Sequence, residues 1–166
     1  VLFSLLPAGG LSNAAATLVG QNLGALRPDK AERSIWITSR VNMVFMGIIG
    51  LILALFPAFF IELFIKDAPV VFNGALSLRI ISYGFVFYAL GMVIVQGFNG
   101  SGDTFTPTLI NIFCFWLIEI PLAWVLSVLL GMGLTGTCMA IVCAESLMTV
   151  TALILFRRGK WKLKQV

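Results

Sequence analysis

Charged residues are so widely spaced that they divide the chain into long apolar stretches. Val1 to Leu26 carries no charge. Val41 to Ile61 is charge-free after an amphipathic lead-in from Ala31 to Arg40. A third stretch runs from about Ala68 to Asn99 and is uncharged between Ile80 and Gly102. A fourth, about Thr106 to Leu130, contains Glu119, and a fifth, about Met132 to Phe156, contains Glu145. A hydrocarbon layer about 30 Å thick is crossed by about 20 helical residues at about 1.5 Å each, and every stretch is long enough. The dyad alternation of a membrane barrel, repeating over about 10 residues, is absent. The pattern therefore predicts an all-α, polytopic transmembrane bundle of five membrane-spanning helices in a single domain. The spans fall at approximately 1–26, 34–61, 69–99, 106–130 and 132–156, with a basic tail at 157–166.

The connectors agree with this division. Gly24, with Pro28 soon after, reads as a left-handed cap ending the first helix. Asp67 reads as an N-cap, with Pro69 in the first turn of the third helix. Asn99-Gly100-Ser101-Gly102-Asp103 and Gly131-Met132-Gly133 read as turns. All are short, which excludes a domain outside the membrane. Because the chain begins at Val1 inside an apolar run, it reads as the C-terminal part of a longer protein.

Composition sharpens the picture. Of 166 residues, 60% are hydrophobic and 11% charged. Soluble domains carry about 25% charged residues, so a soluble globular or disordered chain is excluded. No His is present, which removes the commonest metal ligand and general base. Cys114, Cys138 and Cys143 are odd in number, lie in apolar stretches and lack CxxC spacing, so they read as buried thiols. No metal or cofactor is expected.

Counting cations on alternate sides gives the orientation. One side receives Arg27, Lys30, Arg33, Arg40, Arg157, Arg158, Lys160, Lys162 and Lys164, and the other only Lys66 and Arg79. The positive-inside rule puts the first side, with the C-terminus, in the cytoplasm and Val1 outside. The first stretch lacks the basic n-region of a signal peptide and is too long for an h-region. The tail RRGKWKLK fits an orientation signal and contact with anionic lipid better than nucleic acid, and no nucleic-acid partner is expected.

Polar groups inside spans are costly unless they face protein or a water-filled cavity. In the first helix Asn13, Thr17, Gly20, Gln21 and Gly24 share one face, suited to helix packing or to lining a polar pathway. In the third, Ser82, Tyr88, Gln96 and Asn99 share an arc, suited to a cavity wall that stacks on and hydrogen-bonds organic substrates. Arg79 snorkels to the interface.

Glu119 and Glu145 are the candidates for proton or cation coupling, or else structural acids. Glu119 precedes Pro121, which cannot donate to the Leu117 carbonyl and predicts a kink. Glu145 lies on a face with Cys138 and Thr149, and Gly136, Ala140 and Ala144 form a small-residue ridge roughly opposite. A carboxyl desolvated inside a bundle can bind and release a proton as its surroundings change. An intramembrane enzyme would need a Ser–His nucleophile or paired Asp residues within spans. With no His, and Asp103 in a turn, no enzyme is expected.

Three strings carry a resemblance: GLSNAAATLVGQNLGALRPDKAERS (Gly10 to Ser34), QGFNGSGDTFTPT (Gln96 to Thr108) and IPLAW (Ile120 to Trp124). Together, in this order and spacing, they resemble the C-terminal half of multidrug and toxic-compound extrusion (MATE) transporters. The resemblance implies a protein of twelve helices in two six-helix bundles, this chain supplying the last five, all from the second bundle. It implies antiport of small organic, often cationic, compounds against Na⁺ or H⁺ by alternating access in a plasma (bacterial inner) membrane. The cavity would lie between the bundles, and the missing N-terminal part would be the partner. Some members carry a coupling carboxylate in the helix matching the third one here, near Tyr88, where this chain has none. Lipid-linked sugar flippases of related architecture and a non-catalytic structural membrane subunit remain alternatives. The flippase calls for cavity-facing cations to hold a pyrophosphate, and only Arg79 is available.

Overall fold

The computed structural model describes residues 2–163, which form helices joined by short turns, with no strand among them. Val1 and residues 164–166, including the tail cation Lys164, lie outside the described residues. The helices are α1 (Leu2–Gly24), α2 (Pro28–Leu55), the short α3 (Pro57–Glu62), α4 (Ala68–Gly100), α5 (Phe105–Leu129) and α6 (Gly133–Arg157), followed by a 3₁₀ turn at Lys160–Leu163.

Among the described residues four of these helices, α2, α4, α5 and α6, are both long and apolar enough to cross a membrane, where five were expected. The fifth expected span corresponds to α1, a 23-residue helix that packs against α2 and α4.

The second expected span also ends early. Pro57 clashes with the carbonyl four residues back and drives its predecessor out of the helical region. Phe56 accordingly takes φ −122° and ψ 45°, and α2 stops at Leu55. Likewise α1 is closed by Leu26 at φ 57°, not by Gly24. The Arg27 N–H reaches the Asn22 carbonyl at 2.8 Å in a Schellman-like cap. Asp67 precedes α4 in extended conformation, but its side chain makes no capping bond.

Helix α4 is the centre of the bundle, packed against α1, α2, α3 and α6, whereas α5 packs almost wholly on α6. Two apolar clusters fill the interior. One joins Ala15, Val19, Ile35, Val93, Phe98 and Phe156 among others; the second joins Ala8, Met46, Leu78, Phe85 and Ala89. Asn42 ties α2 to α4 by donating Nδ2–H to the Ala89 carbonyl at 3.1 Å. On the outside, α5 exposes Phe105, Trp116, Leu117 and Trp124, an exposure that suits hydrocarbon as solvent.

Pro121 in α5 is met by widened turns. Ile112–Glu119 and Val125–Leu129 are π-helical, and the Ile120 N–H bonds to the Phe115 carbonyl five residues back. A ladder that must skip one donor is accommodated here by changing register.

The described part of the basic tail, up to residue 163, does not lie free. Trp161 is buried, stacks on Phe156 at 4.8 Å and donates its Nε1–H to the Phe156 carbonyl at 3.0 Å. Trp36 and Phe98 meet Phe156 edge-on, and Lys162 pairs with Glu32 of α2. Trp161→Phe removes that N–H and costs the docked tail about 1 kcal/mol. Trypsin should therefore release the tail after Lys160 or Lys162 about fivefold faster, read as the C-terminal fragment by mass spectrometry.

Candidate functional site

The candidate site lies where α4 meets α6, and glycines set their separation. A Cβ on Gly84 would touch Val142 at 3.3 Å. A Cβ on Gly91, two turns later, would collide with the Thr149 hydroxyl. Gly91 thus lets Thr149 Oγ1 reach across to the Phe87 carbonyl at 2.8 Å, while its own helix offers the Glu145 carbonyl at 3.0 Å. On its other side α6 packs on α5 through Gly136, whose Cβ would lie 2.7 Å from the Leu126 carbonyl carbon. Helix α6 is therefore held between two partners by small residues on two faces.

That placement leaves the Glu145 side chain at the junction of two small pockets. One, of about 220 Å³, is walled by Leu5, Ile81, Phe85, Tyr88, Ile141 and Glu145. The other, of about 200 Å³, is walled by Tyr88, Gln96, Asn111, Phe115, Glu145 and Met148. Tyr88 and Glu145 line both. Glu145 Oε2 is buried without a hydrogen-bond partner among the described residues. Glu119, half-buried at the end of the first π-helical stretch of α5, lies on the helix that packs against α6. A buried carboxylate without a partner is electrostatically costly unless a proton or a cation joins it. That is the chemistry the arrangement offers.

The other candidates are distributed differently. Gln96 joins Tyr88 and Glu145 in the smaller pocket, and its Oε1 accepts from Asn99 Nδ2 at 3.0 Å, with Asn99 itself exposed. Ser82 is buried towards α2, its hydroxyl bonded to the Leu78 carbonyl at 2.6 Å and its own carbonyl against Gly50. Asn13, Thr17 and Gln21 are exposed on the face of α1 turned away from α2 and α4, which its Ala8, Ser12, Ala15 and Val19 cover. Arg79 is exposed, donates Nε–H to the Ala54 carbonyl at 3.2 Å and lies in a separate groove with Phe56 and Phe59. Sequence reasoning passed over three polar groups. Asn111 stands opposite Gln96. Ser39 Oγ and Asn42 Oδ1 are buried without a hydrogen-bond partner among the described residues. Their spacing of three residues on one helical face was the available signal.

Residues 1–125 match the family model MatE. A protein of Thermotoga maritima named probable multidrug resistance protein NorM is 28% identical over 166 residues, covering 98% of this chain and 35% of that protein. A NorM-named protein of Caulobacter vibrioides is 30% identical over 159 residues, 92% of this chain and 32% of its own length. Probable multidrug resistance protein YoeA of Bacillus subtilis is 25% identical over 122 residues, 74% of this chain and 26% of its own. The chain spans about a third or less of the length of these curated relatives.

Proposed function

The chain belongs to the MatE family, and from that premise we propose that it forms part of a secondary-active exporter of small organic, cationic compounds. Transport proceeds by alternating access in exchange for Na⁺ or H⁺. The observation that carries this reading is the buried Glu145 Oε2, without a hydrogen-bond partner among the described residues, between two pockets shared with Tyr88. A coupling ion or proton neutralises Glu145 in one state and leaves it in another, and a cationic substrate competes for the same charge. Gln96 and Tyr88 supply the polar and aromatic wall. The exposed face of Asn13, Thr17 and Gln21 meets the remainder of the same polypeptide across the route. The end bearing Arg27 to Arg40 and the C-terminus faces the cytoplasm of a bacterial inner membrane. The flippase reading gains no support, since Arg79 lies in a different groove from Glu145.

Cells expressing the intact protein should accumulate less of a fluorescent cationic dye than cells lacking it, and dissipating the ion gradient should erase the difference. Equal dye accumulation in both strains, with the protein present in the membrane, would remove this reading.

A further inference from the structure

Before it enters the apolar core, α2 turns one charged face outward. Arg33, Ile37 and Arg40 are exposed along it, and half-buried Trp36 stands beside them. With Asp29 and Glu32 they line an open groove of about 430 Å³. Its two acids do not cancel its two arginines. Glu32 is already engaged by Lys162 and accepts the Trp36 Nε1–H at 3.3 Å. Neither Arg33 nor Arg40 forms an ion pair among the described residues, so only Asp29 is left to set against two free guanidinium groups.

Below Arg40 the same helical face continues as Val44, Ile48 and Leu51, with exposures of 63%, 57% and 62%. Arg33, Ile37, Arg40, Val44, Ile48 and Leu51 follow one another at steps of three and four residues, so they form one continuous stripe. From Arg40 to Leu51 the stripe descends about 16 Å, half the thickness of a hydrocarbon core. An anionic head with two guanidinium partners, an aromatic ring at the interface and an apolar track reaching mid-bilayer is the outline of one kind of molecule.

We propose that the Arg33–Arg40 face of α2 is a binding site for an anionic glycerophospholipid. Its phosphate is held by Arg33 and Arg40 beside Trp36, and an acyl chain lies along Ile37, Val44 and Ile48. Guanidinium groups bind phosphate through paired N–H donors, which favours a headgroup of net negative charge over a zwitterion whose own ammonium competes. The Lys162–Glu32 pair has a part in this. By docking the tail it neutralises one of the two acids that line the groove. The site does not depend on the transport reading, and its test involves no transport.

The intact protein in mixed micelles with equal phosphatidylglycerol and phosphatidylcholine should retain the former about tenfold more often as a bound adduct in native mass spectrometry. R33Q/R40Q should bring the two lipids to parity, R33K/R40K should keep most of the preference, and R157Q/R158Q should leave it unchanged. Should R33Q/R40Q fail to fold, R33Q alone should still lower the preference about threefold. Equal retention by the unsubstituted protein would overturn the site, as would a preference untouched by loss of the arginines or abolished by R157Q/R158Q.

Discussion

Glu145→Gln is expected to lower gradient-driven dye efflux by the intact protein roughly ten- to hundredfold, with its amount in the membrane unchanged. Glutamine has the shape and volume of glutamate, so the packing of α6 between α4 and α5 survives. What disappears is the exchangeable charge. Glu145 Oε2 is buried and lacks a hydrogen-bond partner among the described residues. A group in that position changes its occupancy by proton or cation when access changes, and an amide cannot. Glu145→Asp keeps the carboxyl on a shorter stem and should recover part of the flux. Glu119→Gln should cost less than Glu145→Gln, because Glu119 is half-buried and lines neither pocket. Measured as dye efflux against an imposed Na⁺ or H⁺ gradient, normal rates in both Gln variants would leave these acids a packing role only.

Gly100→Ala should destabilise the protein by about 2–3 kcal/mol, near the top of the range for overpacked interiors. At this position α4 crosses α1 with backbones in contact. A Cβ on Gly100 would stand 2.7 Å from the Ala16 Cα and 2.8 Å from its carbonyl carbon, and a Cβ on Gly20 would stand 3.1 Å from the Gly100 carbonyl oxygen. Main chain cannot swing aside as a side chain does, so the helices must separate, and Ala15, Val19 and Phe98 lose contacts in the cluster beside them. Gly24→Ala is the matched control. Its Cβ would meet nothing within 4 Å, and replacing a helical glycine there should be neutral or stabilising by about 0.5–1 kcal/mol. The two variants are compared by thermal unfolding of the detergent-solubilised protein. Equal midpoints would mean that α1 and α4 do not cross at Gly100.

The resemblance to MATE transporters rested on three strings, and the match of residues 1–125 to the MatE family covers all three. Pro57 was equally visible in the chain, yet it lay inside a charge-free run, and counting charges alone carried the second span through it. RRGKWKLK reads as an orientation signal and a contact for anionic lipid, and the burial of Trp161 was not legible in it, because that depends on Phe156, Trp36 and Phe98 converging from three helices. In α5, Pro121 announced a disturbed ladder, while its form, π-helical turns on either side, depends on how α5 packs against α6 through Gly136.

By itself the sequence determined the solvent of this protein and the approximate length of most of its helices. Both follow from one-dimensional quantities, the run of apolar residues between charges and the rise per residue. It also placed Ser82, Tyr88, Gln96 and Asn99 on one arc of one helix. Which neighbour each of them meets was decided only by tertiary structure. Ser82 turns to α2, Tyr88 and Gln96 turn to Glu145 on α6, and Asn99 stays exposed. A helical wheel gives direction about one axis, whereas a contact needs the distance and rotation of a second axis. Those are set by where glycines such as Gly91, Gly100 and Gly136 let two backbones close.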